Sequence, residues 1–207
     1  MRKMIVGLAI IIITILFASQ ISAQVLVTGE TGGKGGKAIF LSANGLNPEG
    51  LSLFNVYGQY VYGLTDRLDI FGTYGNISAL GKTQHYVGLG WNINILKRSL
   101  VGVDVAFFNV ITTPLNKRGD SSTILLTPAV IASRPVVING KSFGIYSGFN
   151  TIVPIGQTSD TIFTPPDTLW SVPIGATMSL SNGWSLYAEF DIGAEIKSAG
   201  IGFLKAF

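Results

Sequence analysis

The chain has no cysteine and one histidine, His85, in 207 residues. Without thiols it forms no disulfide, takes no lipid on a cysteine, and lacks the sulfur ligands of most structural metal sites. A lone histidine leaves imidazole chemistry without a second member, and the stretch around it, "KTQHYVG", puts no serine or aspartate beside it. No enzymatic activity, cofactor or metal site is therefore expected. Charge is scarce too: 12% of residues are charged, against about 25% in ordinary soluble domains. Residues 101–111 carry one charge, Asp104. Such stretches imply a solvent other than water.

The N-terminus predicts export. Arg2 and Lys3 precede an apolar run over 4–17, and "ASQISAQ" supplies small residues for cleavage after Ala23, the order of a secretory signal peptide. Residues 1–23 are assigned to it, and the apolar run is short for a spanning helix, which needs about 20 residues. Losing Arg2 and Lys3 leaves 12 basic residues against 11 acidic, a formal charge of +1, which removes any case for nucleic-acid binding. Residues 24–35 are expected to form a flexible glycine-rich lead. Its "GETGGKGGK" has neither the glycine spacing nor the Ser or Thr after lysine that a phosphate loop needs.

Past residue 24 no stretch sustains a helical period. Alternation of period two, punctuated by Gly, Pro, Asn, Asp and Ser, predicts ten strands near 36–44, 51–62, 67–78, 84–96, 99–111, 122–133, 142–153, 168–180, 184–193 and 197–207. In the fourth, Val87, Leu89, Trp91, Ile93 and Ile95 share one face, while Tyr86, Gly88, Gly90, Asn92 and Asn94 share the other. In the ninth, Trp184, Leu186, Ala188, Phe190 and Ile192 oppose Ser185, Tyr187, Glu189, Asp191 and Gly193.

A soluble sandwich also alternates, so periodicity alone does not say which face meets solvent. Strands of about 10 to 13 residues exceed the usual five or six of globular sheets and suit a tilted bilayer crossing. The polar faces hold glycine, asparagine, tyrosine and isolated acids rather than lysine and glutamate. Tyr60, Tyr62, Trp91, Trp170, Trp184 and Phe207 lie on apolar faces, several near strand ends, where interfacial girdles sit. Long and short connections approximately alternate, from "GLNPEG" to the proline-rich segment 154–167. The expected fold is all-β: an antiparallel up-and-down transmembrane β-barrel of about ten strands over 36–207, since backbone groups in hydrocarbon are satisfied only when a sheet closes. Pro128 and Pro173 fall inside strands and each removes one ladder donor.

Closure would aim the polar faces into a lumen lined by Asn55, Tyr57, Gln59, Arg67, Asp69, Asn92, Asn94, Asp104, Tyr146, Asn150, Glu189 and Asp191. Two uses stay open: a hydrogen-bonded plug, because unpaired charge in a narrow interior is costly, or a narrow cation-preferring path.

The ending "AGIGFLKAF" puts Ile201, Phe203 and Phe207 on one face and resembles the C-terminal strand signal of bacterial outer-membrane β-barrel proteins. Lys205 departs from the hydrophobic residue usual in that signal. "YGLTDRLDIFGTYG", 62–75, is similar to the strand, tight turn, strand phrase of small outer-membrane porin and transporter families. The resemblance implies the outer membrane of a Gram-negative cell, contact with its lipid, and delivery by the barrel assembly machinery through the last strand. Two functions follow as expectations: a narrow porin-like channel or transporter for small solutes, or a non-conducting structural or surface-interaction protein acting through its external loops.

Overall fold

The computed structural model describes residues 31–48, 52–115, 124–155, 168–193 and 196–207. The expected signal peptide, the lead as far as residue 30, and most of the 154–167 connection lie outside the described residues.

Ten strands follow in order: β1 Lys37–Pro48, β2 Leu53–Thr65, β3 Leu68–Ala79, β4 Lys82–Leu96, β5 Asp104–Pro114, β6 Ile124–Ile138, β7 Lys141–Ile155, β8 Leu169–Ser179, β9 Trp184–Ile192 and β10 Ile196–Ala206. Each is antiparallel to the next, and β10 pairs with β1 from Ala38↔Ala206 to Pro48↔Ile196, closing the barrel. This is the expected up-and-down topology. Strands β1, β3, β5, β7 and β9 start at one end, here the lower end, where the chain also arrives at Lys37 and leaves at Phe207.

The alternation holds as predicted, with the apolar face outward. On β4 Leu89 is 72% exposed while Asn92 is 1% exposed. On β9 Phe190 is 61% exposed and Tyr187 is buried. A soluble barrel would show the reverse.

Several connections differ from expectation, each for a local reason. "ALGKT" is a two-residue turn at Leu80 and Gly81, both with positive φ (49° and 75°), the signs of a type I′ hairpin whose twist matches its strands. Asn139 and Gly140 repeat it at φ 52° and 76°. The "RPVVING" stretch, expected as a loop, is therefore mostly strand: β6 runs to Ile138 and pairs Pro135 with Gly144. The β4–β5 connection was expected to be short and β5 to begin near residue 99. Instead Arg98–Val101 forms one helical turn, α1, ended by Gly102 at φ 80°, and β5 starts at Asp104.

Pro128 and Pro173 sit within β6 and β8. The β6–β7 ladder skips from Leu126↔Val153 to Ala129↔Asn150, and the β7–β8 ladder from Ser147↔Ile174 to Asn150↔Ser171. Each proline thus takes up its missing donor in a gap facing the same strand, β7.

Candidate functional site: the lumen

The interior side chains form three storeys. The middle storey is apolar. Ala38 and Phe40 of β1, Val61 of β2, Phe71 of β3, Ile131 of β6, Tyr146 of β7, Tyr187 of β9 and Leu204 of β10 form one buried cluster. Phe40 meets Tyr187 edge-on with centroids 5.2 Å apart and Tyr57 at 5.8 Å. Phe71 stacks on Phe108 at 5.1 Å, and Tyr146 lies parallel to Tyr187 at 6.3 Å. A ten-stranded bore only slightly exceeds the eight-stranded barrels that side chains fill, and these rings span it.

Above this core are two hydrogen-bonded networks. Tyr146 Oη donates to Glu189 Oε2 at 2.8 Å, and Tyr187 also hydrogen-bonds that carboxylate. Asp191 accepts from Asn150 Nδ2 at 3.4 Å, Ser171 Oγ at 3.1 Å and Ser198 Oγ. Both acids draw these partners from hydroxyls and amides, with no basic side chain among them. On β1, β2 and β4 Tyr86 Oη donates to Asn55 Oδ1 at 2.9 Å, and Ser42 Oγ lies 2.9 Å from Asn44 Oδ1.

The lower storey closes the end where the chain enters. Asp69, fully buried, accepts the Gly32 N–H on both carboxylate oxygens at 3.2 and 3.1 Å and hydrogen-bonds Asn92. Lys34 N donates to Asp66 Oδ1 at 3.3 Å, and Thr31 Oγ1 to the Asp66 carbonyl at 3.1 Å. Gly35 N and Gly63 N exchange bonds with Gly63 O and Gly36 O, both at 2.8 Å. A Cβ on Gly63 would stand 1.9 Å from the Gly33 oxygen, so glycine is required for this approach. The lead, expected to be flexible, is thus tied down over 31–36. Beside it a cavity of about 350 Å³ is lined by Thr31, Gly32, Gly33, Asp66, Asn94, Lys97 and Asp104. Asp104 accepts from Arg98 N at 2.9 Å and Asn94 Nδ2 at 3.5 Å.

Of the expected lumen residues, Asn55, Asp69, Asn92, Asn94, Asp104 and Tyr146 are buried, and Tyr57, Gln59, Asn150, Glu189 and Asp191 are half-buried on the inward face. Glu189 and Tyr146 meet directly, as do Asp191 and Asn150. Arg67 is the exception. It shares the parity of Asp69 but lies exposed in the β2–β3 turn, where the strand parity no longer applies. Sequence reasoning missed Phe40, Phe71, Phe108 and Val61, which are apolar at inward positions. Their signal was available as breaks in an otherwise polar inward pattern.

Ile201, Phe203 and Phe207 are exposed on the outer side. Lys205 is turned to the lower end, where its ammonium bonds the Asn182 carbonyl and lies 5.7 Å from the Trp184 ring and 5.5 Å from that of Phe207. A cation held at the rim among aromatics is how a lysine on an apolar wall reaches the interface. His85 faces outward as well, its Nδ1 3.0 Å from Tyr74 Oη.

A closed antiparallel barrel with apolar side chains outside and polar ones within is a transmembrane β-barrel, and the chain is of that class. No family model matches it, and no curated protein matches it. Three solved structures illustrate the loose likeness of such barrels. An outer-membrane channel from Pseudomonas putida aligns at 11% identity and a TM-score of 0.44, covering 91% of this chain and 100% of that one. The translocator domain of autotransporter NalP from Neisseria meningitidis aligns at 11% and 0.39, covering 84% and 89%. A structure described under de novo design of transmembrane β-barrels aligns at 13% and 0.39, covering 84% and 97%.

Proposed function

We propose that the chain is an exported outer-membrane barrel whose lumen is a structural plug, and that it acts non-enzymatically, without a cofactor, by presenting its upper loops at the cell surface. The observation that carries this reading is the apolar storey: Phe40 of β1, Phe71 of β3, Ile131 of β6 and Tyr146 of β7, drawn from opposite parts of the ring of strands, are buried in one cluster across the bore. Side chains packed at this level narrow the bore, and an ion crossing it would forfeit its hydration without replacement. Glu189 and Asp191 already have hydrogen-bond donors, so they hold the wall together rather than wait for a cation. Export by the signal peptide, recognition of the last strand by the assembly machinery, and residence among outer-membrane lipids belong to the same proposal.

A porin-like path for small solutes is the second reading. It is favoured by the polar storeys at either end and by the 350 Å³ cavity at the lower one. Conductance of refolded protein in a planar bilayer separates the two. We expect wild type to pass little or no current and Phe40→Ala with Tyr187→Ala to conduct. Large, stable wild-type currents would overturn the plug in favour of the channel.

A further inference from the structure

We propose that the outer wall formed by β1 to β4 is the interface of a two-fold dimer, its occupant a second copy of this chain. The β2–β3 pair carries the same phrase twice, Gly58-Gln59-Tyr60 and Gly72-Thr73-Tyr74. Antiparallel pairing sets Gly58 opposite Tyr74 and Tyr60 opposite Gly72. All four face outward, so the wall shows a small square with glycines on one diagonal and half-exposed tyrosines on the other. A square holding both hollows and knobs is what an isologous contact uses, since each copy offers the same patch to the other.

The hollow at Gly72 is open, and that at Gly58 is edged by a flexible leucine. A Cβ built on Gly72 would find only Leu89 Cδ2 at 4.0 Å, and one on Gly58 the flexible end of Leu41 at 3.1 Å and the Phe40 carbonyl oxygen at 3.8 Å. They open into a groove of about 1220 Å³ that runs from Ile39 and Leu41 across to Leu89 and Ile111. A second groove of about 380 Å³, sharing Leu41, Gly58 and Tyr74, continues it toward Ile201 and Phe203.

The opposite wall behaves differently. The outward positions of β8 and β9, from Trp170, Val172 and Ile174 to Phe190 and Ile192, are apolar throughout and include no glycine. The β2–β3 wall adds Asn76 and Ser78 to its glycines and tyrosines. Hydrocarbon gives no hydrophobic drive for association, so contact depends on close backbone approach at small residues and on polar groups finding partners. Of these two walls only β2–β3 supplies both, with Tyr60 and Asn76 as its polar groups, since Tyr74 and Ser78 are bonded within the barrel to His85 and Thr83. Lipid tails could also enter the groove, but fluid chains neither need a repeated Gly-x-Tyr phrase nor satisfy the amide of Asn76.

The chain's lack of cysteine makes the test direct. Leu89→Cys and Phe190→Cys, each in the full chain reconstituted in lipid nanodiscs, are treated with a short bis-maleimide. Leu89→Cys should give a covalent dimer and Phe190→Cys should not. Native mass spectrometry of wild type should show two chains, and Gly58→Leu with Gly72→Leu, which fills the hollows, should show one while keeping heat-modifiable mobility. Equal cross-linking from both walls, or a monomeric wild type, would overturn the dimer. A monomeric wild type that loses a bound phospholipid on Gly58→Leu with Gly72→Leu would assign the groove to lipid instead.

Discussion

The two surfaces of the barrel wall use glycine for opposite ends. On the inner surface a Cβ on Gly175 would stand 2.2 Å from the Tyr146 ring, one on Gly90 2.3 Å from Phe71, and one on Gly75 2.5 Å from Tyr86. There glycine is the socket into which an aromatic ring from the neighbouring strand is laid. On the outer surface Gly45 meets nothing within 4 Å, Gly72 meets only a leucine terminus at 4.0 Å, and Gly58 meets a leucine terminus at 3.1 Å and the Phe40 carbonyl oxygen at 3.8 Å. The same residue therefore marks filled volume inside and, at Gly45 and Gly72, open volume outside. At these positions the inner surface is packed by rings, whereas the outer surface keeps a hollow at Gly72.

The sharpest way to break that contrast is with charge. Leu89 lies midway along β4, outward and exposed, so Leu89→Lys should lower stability by about 2 to 4 kcal/mol in equilibrium unfolding from lipid vesicles, the range for a basic residue near the midplane. A plain reading of the alternation would make the same charge cheap at inward Gly88. The packed interior changes that. A Cβ at Gly88 would already lie 2.7 Å from the Ile111 carbonyl oxygen, so Gly88→Lys should be as harmful as Leu89→Lys. A Gly88→Lys barrel of wild-type stability would show that the lumen is wet at this level and the plug is absent.

Next in size is overfilling a socket. Gly175→Val drives a branched side chain into the Tyr146 ring, and overpacking of a tight core typically costs about 1 to 3 kcal/mol. Because Tyr146 also holds Glu189, displacing the ring disturbs the carboxylate as well, so the effect should fall near the upper end. Tyr146→Phe keeps the ring in its socket and removes only the hydroxyl, leaving Glu189 with the Tyr187 donor. A lost bond to a charged group costs about 1.5 to 3 kcal/mol, reduced here by the remaining donor. Tyr60→Phe, on the outer wall, removes a hydroxyl for which the structure gives no partner and should be neutral in dilute micelles. Equal effects at Tyr146 and Tyr60 would mean that the inner network carries no stability.

Which parts of this were legible in the sequence follows from what alternation can encode. Strand number, antiparallel order and the sense of the faces are properties of a period-two pattern, and β4 and β9 carried it without interruption. Turn positions are set by a pair of dihedrals, and "ING" and "ALGK" needed the left-handed conformations of Asn139 with Gly140 and Leu80 with Gly81 to be read as tight turns. Residues 98–101 look like strand because Leu100 and Val101 are apolar, yet the Asp104 carboxylate accepts the Arg98 N–H and steadies one helical turn. The packed interior was half legible. Its acids and amides stood out on the polar parity, but Phe40, Phe71 and Phe108 did not, since an apolar residue at an inward position is indistinguishable from noise until closure shows what it packs against. Asn109 is the mirror case, a polar residue at outward parity on β5. It is buried opposite Trp91 and Pro128 with its Oδ1 unpartnered, and nothing in the pattern of β5 announced it.

The smallest effect separates the surfaces most finely. Adding one methyl to a glycine in a strand normally gains about 0.5 to 1 kcal/mol by restricting the unfolded chain, unless the folded state has no room for it. At Gly72 the nearest atom is 4.0 Å away, so Gly72→Ala should stabilise the barrel by about 0.5 kcal/mol. At Gly58 the methyl must move a leucine terminus from 3.1 Å, which offsets the gain and leaves Gly58→Ala near zero. At Gly175 the methyl would lie inside the Tyr146 ring, and Gly175→Ala should be destabilising. The three substitutions, measured together by urea titration in dilute micelles where any dimer is dissociated, should rank in that order. A destabilising Gly72→Ala would mean that the outer hollow is occupied within a single barrel, and the vacancy on which the contrast rests would be gone.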